Sequence, residues 1–204
     1  MEKLTILLAS GNPNKVREIK AIMADAFPAR EIEVLSLKDI GFEGDIVEDG
    51  DTFEANALIK AKAIAGRGYI TMADDSGLMV DALGGEPGVY SARYAGEPCD
   101  NEANNDKLLQ NLADVPAEAR TAKFVSVVAC SFPDGREIVT RGECPGMILF
   151  ERTGNGGFGY DPLFYYEPLQ KTFAQLTPEE KNSISHRARA MAAFTEQFKK
   201  AIEE

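Results

Sequence analysis

Apolar positions change their period several times along the 204-residue chain, marking out an alternating series of strands and helices. Leu4–Ala9 is an unbroken apolar run with β-branched content, the pattern of a buried strand. Ser10-Gly11-Asn12-Pro13-Asn14-Lys15 breaks it. Asn12 suits an N-cap and Pro13 the first helical position, so a helix is predicted to about Phe27, with Val16, Ile19, Ile22, Met23 and Ala26 at helical spacing. Pro28 stops it, and Ile32–Leu37 reads as the next strand. Asp51-Thr52-Phe53-Glu54 carries a capping pattern for a helix over Ala55–Ala65, which Gly66 and Gly68 end. Tyr69–Ala73 is a strand whose end delivers Asp74-Asp75-Ser76-Gly77. Further on, Asp100 caps a helix through Leu112, and Ala122–Phe132 and Arg136–Cys144 flank the hairpin signal Asp134-Gly135. Gly146–Phe150 reads as a separate strand, and another lies near Leu163–Tyr166 after the glycine-dense loop Gly154–Gly159. Thr177-Pro178-Glu179-Glu180 forms a capping box, and the last helix covers about Ser185–Ile202. This order predicts an α/β protein with a mixed sheet and flanking helices.

Composition narrows the function classes. With 33 acidic against 22 basic side chains, the net charge of -11 argues against a protein that coats nucleic-acid polymers, whose phosphates need a basic face. A small phosphorylated ligand stays possible, because a few lysines, an arginine and a divalent metal can build its site locally. Cys99, Cys130 and Cys144 lack close metal-ligand spacing and His186 is the single histidine, which disfavours both structural zinc and a disulfide scaffold. Met1-Glu2-Lys3-Leu4 shows no signal-peptide pattern, and the longest apolar stretch, around Phe124–Phe132, is too short to span a bilayer. A soluble, cytoplasmic protein with no membrane partner is expected.

Four segments carry candidate chemistry. Ser10–Lys15 places a helix N-terminus and a lysine charge where phosphate binds, although it lacks the ending of a P-loop; an ordinary capped helix is the alternative. In Asp74-Asp75-Ser76, adjacent residues on a strand point to opposite faces, so one aspartate can face a cleft and hold Mg²⁺ or orient water while the other turns to the scaffold. Two solvated acids in a turn are the competing reading. Glu48 lies in an acidic run (Glu43, Asp45, Glu48, Asp49, Asp51), of which one member could complete a metal site. Gly154–Gly159 lets backbone approach a ligand, with Phe158 as a stacking face and Asp161 as an acceptor; a plugged hairpin loop would look the same. Lys181, His186 and Arg187 put donors near a helix start.

Taken together, SGNPNK at Ser10–Lys15, TFEANALIKA at Thr52–Ala61, ADDSGLMVDALGGEPGVYSARYAG at Ala73–Gly96, GNGGFGYDPLF at Gly154–Phe164 and EEKNSISHR at Glu179–Arg187 resemble the inosine triphosphate pyrophosphatase family, in particular its bacterial XTP/dITP branch. Ala55 departs from the pattern, which often has Glu before Asn56, and this directs the second metal acid to Glu48. The resemblance implies one domain over residues 1–204, an elongated mixed sheet in two lobes around a nucleotide cleft, and a homodimer. It implies Mg²⁺-dependent conversion of non-standard purine nucleoside triphosphates (ITP, dITP, XTP, dXTP) to monophosphate and pyrophosphate. Carried over residue by residue, Asp75 is the proton acceptor and a metal ligand with Glu48. Ser10, Gly11, Asn12, Pro13, Asn14, Lys15 and Lys60 hold the triphosphate, and Ser76 touches the substrate. Phe158, Gly159, Tyr160, Asp161, Lys181, His186 and Arg187 form the base pocket. A Maf-like pyrophosphatase of pyrimidine or modified nucleotides is the alternative enzyme.

Overall fold

The computed structural model describes residues 3–65 and 68–203. Met1, Glu2 and Gly66, read above as part of the chain start and of a helix stop, lie outside the described residues. Seven strands among the described residues form one mixed sheet in the order β2-β1-β3-β4-β5-β6-β7. They are β1 (Leu4–Leu8), β2 (Ile32–Ser36), β3 (Ile70–Val80), β4 (Thr121–Ser131), β5 (Glu137–Ile148), β6 (Phe164–Tyr166) and β7 (Lys171–Thr172). β1 pairs in parallel with β2 (Ile6 opposite Val34) and with β3 (Leu7 opposite Thr71), whereas β6 runs antiparallel to β5 and β7. The helices are α1 (Pro13–Ala26), α2 (Phe53–Ala63), α3 (Asn101–Asn111), α4 (Pro178–Ile184) and α5 (His186–Glu203).

Local signals set most boundaries. The Asn12 side chain accepts from the backbone N–H groups of Asn14 and Lys15, Thr52 caps α2, Asp100 caps α3, and Thr177 with Glu180 closes a capping box on α4. Two expectations need correction. The strand expected to end before Asp74 runs on to Val80, so both aspartates sit inside β3. Polar residues interrupt the apolar pattern there, but tertiary ion pairs satisfy them and pairing continues. Likewise Gly146–Phe150 is no separate strand, because β5 passes through Pro145 and Gly146 to Ile148. β7 was not foreseen; two residues give no period to read.

The chain forms two compact units and crosses between them within β3, β4 and β5 and at the start of α5. The first comprises residues 1–75, 126–142 and 187–204, the second 76–125 and 143–186. Each has its own core. In the first, Ile6, Leu8, Ile19, Met23, Met72, Val128, Phe194 and Phe198 pack together. In the second, Leu78, Val80, Leu108, Phe124, Ile148, Leu163, Phe164 and Phe173 do so. No helix among the described residues is long and apolar enough to cross a membrane.

Candidate active site

The first unit gathers its charges around the two aspartates of β3. Asp74 and Asp75 take different partners, as alternation along a strand requires. Asp74 is fully buried and receives Lys15 Nζ at 2.8 Å, Ser126 Oγ at 2.6 Å, and Arg187 Nε and Nη2 at 3.3 Å each. Arg187 also pairs with Glu18. Burial alone would push the Asp74 carboxyl up, but the Arg187 and Lys15 charges, with the hydrogen bonds from Lys15 and Ser126, hold it well below the usual carboxylate range. Asp74 is therefore a fixed anion.

Asp75 is different. Its Oδ1 accepts from Lys60 Nζ at 2.7 Å, and the same ammonium donates to Glu48 Oε2 at 2.9 Å. Its Oδ2 is buried with no hydrogen-bond partner among the described residues. Burial raises the Asp75 pKa, and the Glu48 charge adds to it; Lys60 and Lys15 oppose the rise without cancelling it. A carboxylate held by one oxygen, with the other unpaired and a raised pKa, is equipped to accept a proton. Burial lowers the Lys60 pKa and the two carboxylates more than restore it, so Lys60 stays a cation. Three cations (Lys15, Lys60, Arg187) face four carboxylates (Glu18, Glu48, Asp74, Asp75).

At the α1 start the cap itself uses the donors expected for phosphate. Pro13 has no N–H, the Asn14 and Lys15 N–H groups donate to Asn12 Oδ1 at 3.0 and 3.3 Å, and the Asn12 N–H donates to Ser10 Oγ at 3.3 Å. Of the Ser10–Lys15 segment, the Lys15 ammonium is what meets the carboxylate cluster.

The second unit holds the glycine-dense loop, closed around Asp161. Asp161 Oδ2 accepts the Phe158 N–H at 2.8 Å and pairs with Lys181 Nζ at 2.6 Å. Gly157 is required here: at φ +72° a Cβ would lie 2.1 Å from that same oxygen. Lys181 Nζ stands 4.6 Å from the Phe158 ring centroid, a cation–π contact. Asn105 Nδ2 donates to the Gly159 carbonyl at 3.0 Å, and the buried Tyr160 hydroxyl donates to the Ser91 carbonyl at 2.8 Å. His186, at the start of α5, stacks on Phe124 with centroids 4.8 Å apart. Phe158, Asp161 and Lys181 thus form one cluster.

A family model described as the Ham1 family matches residues 6–197. The chain belongs to the Ham1 family. It is 46% identical over 196 residues to a dITP/XTP pyrophosphatase of Bacillus cereus, covering 95% of this chain and 94% of that one. Another dITP/XTP pyrophosphatase, from Leuconostoc mesenteroides, is 49% identical over 191 residues, covering 92% and 93%. Among solved structures, the Staphylococcus aureus Ham1 protein superposes with a TM-score of 0.85 at 41% identity over 97% of this chain and 99% of that one. A nucleoside-triphosphatase, dITP/XTP pyrophosphatase, of Mycobacterium abscessus gives 0.75 at 44%, over 94% and 98%.

In this Ham1 protein most of the expected site residues meet in two places. Lys15, Glu48, Lys60 and Asp75 meet around the β3 carboxylates. Phe158, Asp161 and Lys181 meet around the glycine loop, while the Tyr160 hydroxyl is turned to Ser91 and Ser76 is a half-buried residue of β3. Arg187, expected with the base, has its guanidinium on Asp74 and Glu18. The sequence reading missed Glu18 and Ser126. Glu18 left a signal, a charge beside the core residue Ile19 on α1.

Proposed function

We propose that this Ham1 protein hydrolyses non-standard purine nucleoside triphosphates (ITP, dITP, XTP and dXTP) to the monophosphate and pyrophosphate, clearing them from the nucleotide pool. One observation carries the catalytic part: Asp75 is buried, clamped through Oδ1 by Lys60, and has no partner among the described residues at Oδ2. Water beside the Asp75 carboxylate gives up its proton to it as it attacks the α phosphorus and the bond to the leaving pyrophosphate breaks. An ammonium has three donors; Lys60 spends two on Glu48 and Asp75, leaving one for a phosphate oxygen, and Lys15 can share its charge between Asp74 and the leaving pyrophosphate. In this reading Ser10–Asn14 meets the phosphate end of the substrate, and Ser76 follows Asp75 in the chain.

Asp75 and Glu48 fit a Mg²⁺ site. The Asp75 Oδ2 is an orphaned buried acceptor, and both carboxylates already converge on a cation, the Lys60 ammonium. Mg²⁺ is commonly held by one or two carboxylates together with substrate phosphates. Bound there, Mg²⁺ supplies neutralisation of phosphate charge.

The base falls to Phe158–Asp161, Lys181 and His186. Purines of the accepted class carry a 6-keto acceptor, whereas adenine carries a 6-amino donor. Buried donors that match the first are left unpaired by the second, which can reject it by ~10⁴. A homodimer in the cytoplasm completes the proposal; the three free cysteines suit a reducing compartment.

The test is a panel of ITP, dITP, XTP, ATP and pyrimidine triphosphates with Mg²⁺, following pyrophosphate and phosphate separately, with ITP hydrolysis repeated in oxygen-18 water. We expect IMP and pyrophosphate, with the label in IMP. Label in pyrophosphate would place attack at the β phosphorus, and preference for pyrimidines would point to Maf-like chemistry.

A further inference from the structure

Residues 45–50, which carry Glu48, lie in no helix, strand or turn. A segment without ladder bonds spreads its side chains over many positions unless something holds it. Helix α2 does so at two points one turn apart. Asn56, only 1% exposed, accepts the Gly50 N–H at Oδ1 (2.8 Å), and Lys60, at i+4 on the same face, takes Glu48 Oε2 at 2.9 Å. The approach is close. A Cβ on Gly50 would lie 2.7 Å from both the Ala55 Cβ and Asn56 Oδ1, so the first of these contacts requires glycine at that position.

Burial separates the two roles. Asn56 is sealed inside, whereas the Glu48 side chain keeps 34% of its surface and can be reached by a ligand. A buried amide that accepts a loop's backbone N–H fixes where that loop passes. Two residues before the fixed point stands Glu48.

We propose that Asn56 is a positioning residue for the metal-holding end of the site, latching Gly50 so that Glu48 is presented beside Lys60 and Asp75. This rests on the reading that Glu48 and Asp75 hold the divalent ion. Outer groups that orient a metal's carboxylates change affinity by ~10–100-fold when removed. Asn56→Ala should therefore weaken binding by ~10-fold or more without altering the choice of base.

The experiment titrates the full-length protein with Mn²⁺, followed by electron paramagnetic resonance, for the wild type, Asn56→Ala, Gly50→Ala, the double variant and Glu48→Gln. Circular dichroism checks each fold, and the ratio of kcat/KM for ITP to ATP is measured alongside. We expect both single latch variants to lose Mn²⁺ affinity, the double variant to lose little more than either one, and the ITP/ATP ratio to hold. The non-additivity is the signature of one shared contact. If Asn56→Ala fails to fold, Gly50→Ala reads the same contact from its other side. Wild-type Mn²⁺ affinity in a folded latch variant, with Glu48→Gln impaired, overturns the latch and leaves the metal reading standing. Unimpaired binding by Glu48→Gln overturns both.

Discussion

Asp74 and Asp75 are chemically identical neighbours, and their surroundings make them opposites. Asp74 is surrounded by Lys15, Arg187 and Ser126 and stays charged; Asp75 is desolvated, shares one lysine with Glu48, and has its pKa raised. A base works only when deprotonated. A raised pKa means that this form is lost, as pH falls, earlier than for a carboxylate in water. In the metal-free protein the Asp75 carboxyl should therefore hold its proton to a higher pH than the usual aspartate range, which an NMR titration of that carboxyl reads. Asp75→Asn, nearly the same shape but unable to accept the proton, should reduce turnover by at least ~10²-fold with the fold intact. Near-normal turnover by the folded variant would remove Asp75 from the chemistry. Motifs singled out Asp75 and Lys60 in the sequence, and Glu48 stood out only as one member of an acidic run. Glu18 and Ser126 were not, because they act through Arg187 and Asp74, partners 169 and 52 residues away along the chain.

Among the elements, those with short-range signals were read correctly, and those decided by distant contacts were not. Caps at Asn12, Asp100 and Thr177 marked three helix starts from sequence alone, while α2, expected from Ala55, begins at Phe53 behind Thr52. The continuation of β3 past Asp75 depends on Lys15, Lys60 and Arg187 offsetting two buried charges, and no local pattern announces that. The glycine loop lies between these cases: four glycines signalled close approach, but the approach turned out to be internal, to Asp161. This gives a prediction at the level of the loop. Gly157→Ala must move the loop off Asp161 Oδ2, because φ +72° and a 2.1 Å contact are both unacceptable to a Cβ. We expect a folded protein whose KM for ITP rises by ~10-fold or more while kcat on saturating ITP changes less, as for an interaction made equally in ground and transition states. A KM unchanged in steady-state assays would separate this loop from the substrate.

At the scale of the molecule, a chain with net charge -11 concentrates Lys15, Lys60 and Arg187 in one unit and sets Lys181 and His186 in the other, each unit with its own core. Phosphate chemistry and base choice should then separate genetically. Lys60→Ala and Asp75→Asn should depress ITP and ATP alike, since every triphosphate meets them. His186→Ala should cut kcat/KM on ITP and XTP by ~10-fold or more through loss of a hydrogen bond to the 6-keto oxygen, with a smaller effect on ATP. Arg187 decides between two assignments. Family resemblance places it at the base; its observed hydrogen bonds run to Asp74 and Glu18. Removing it outright would strand buried carboxylates at a cost of about 3–5 kcal/mol, so the informative variant is Arg187→Lys, which keeps the charge and loses the fork. If Arg187 acts by holding Asp74 and, through it, Lys15, that variant lowers turnover on every nucleotide and leaves the ITP/ATP ratio in place. Measuring kcat/KM for ITP, XTP and ATP on Arg187→Lys and His186→Ala side by side tests both. A collapsed ratio in Arg187→Lys would return that residue to the base, and an intact ratio in His186→Ala would take base choice away from His186.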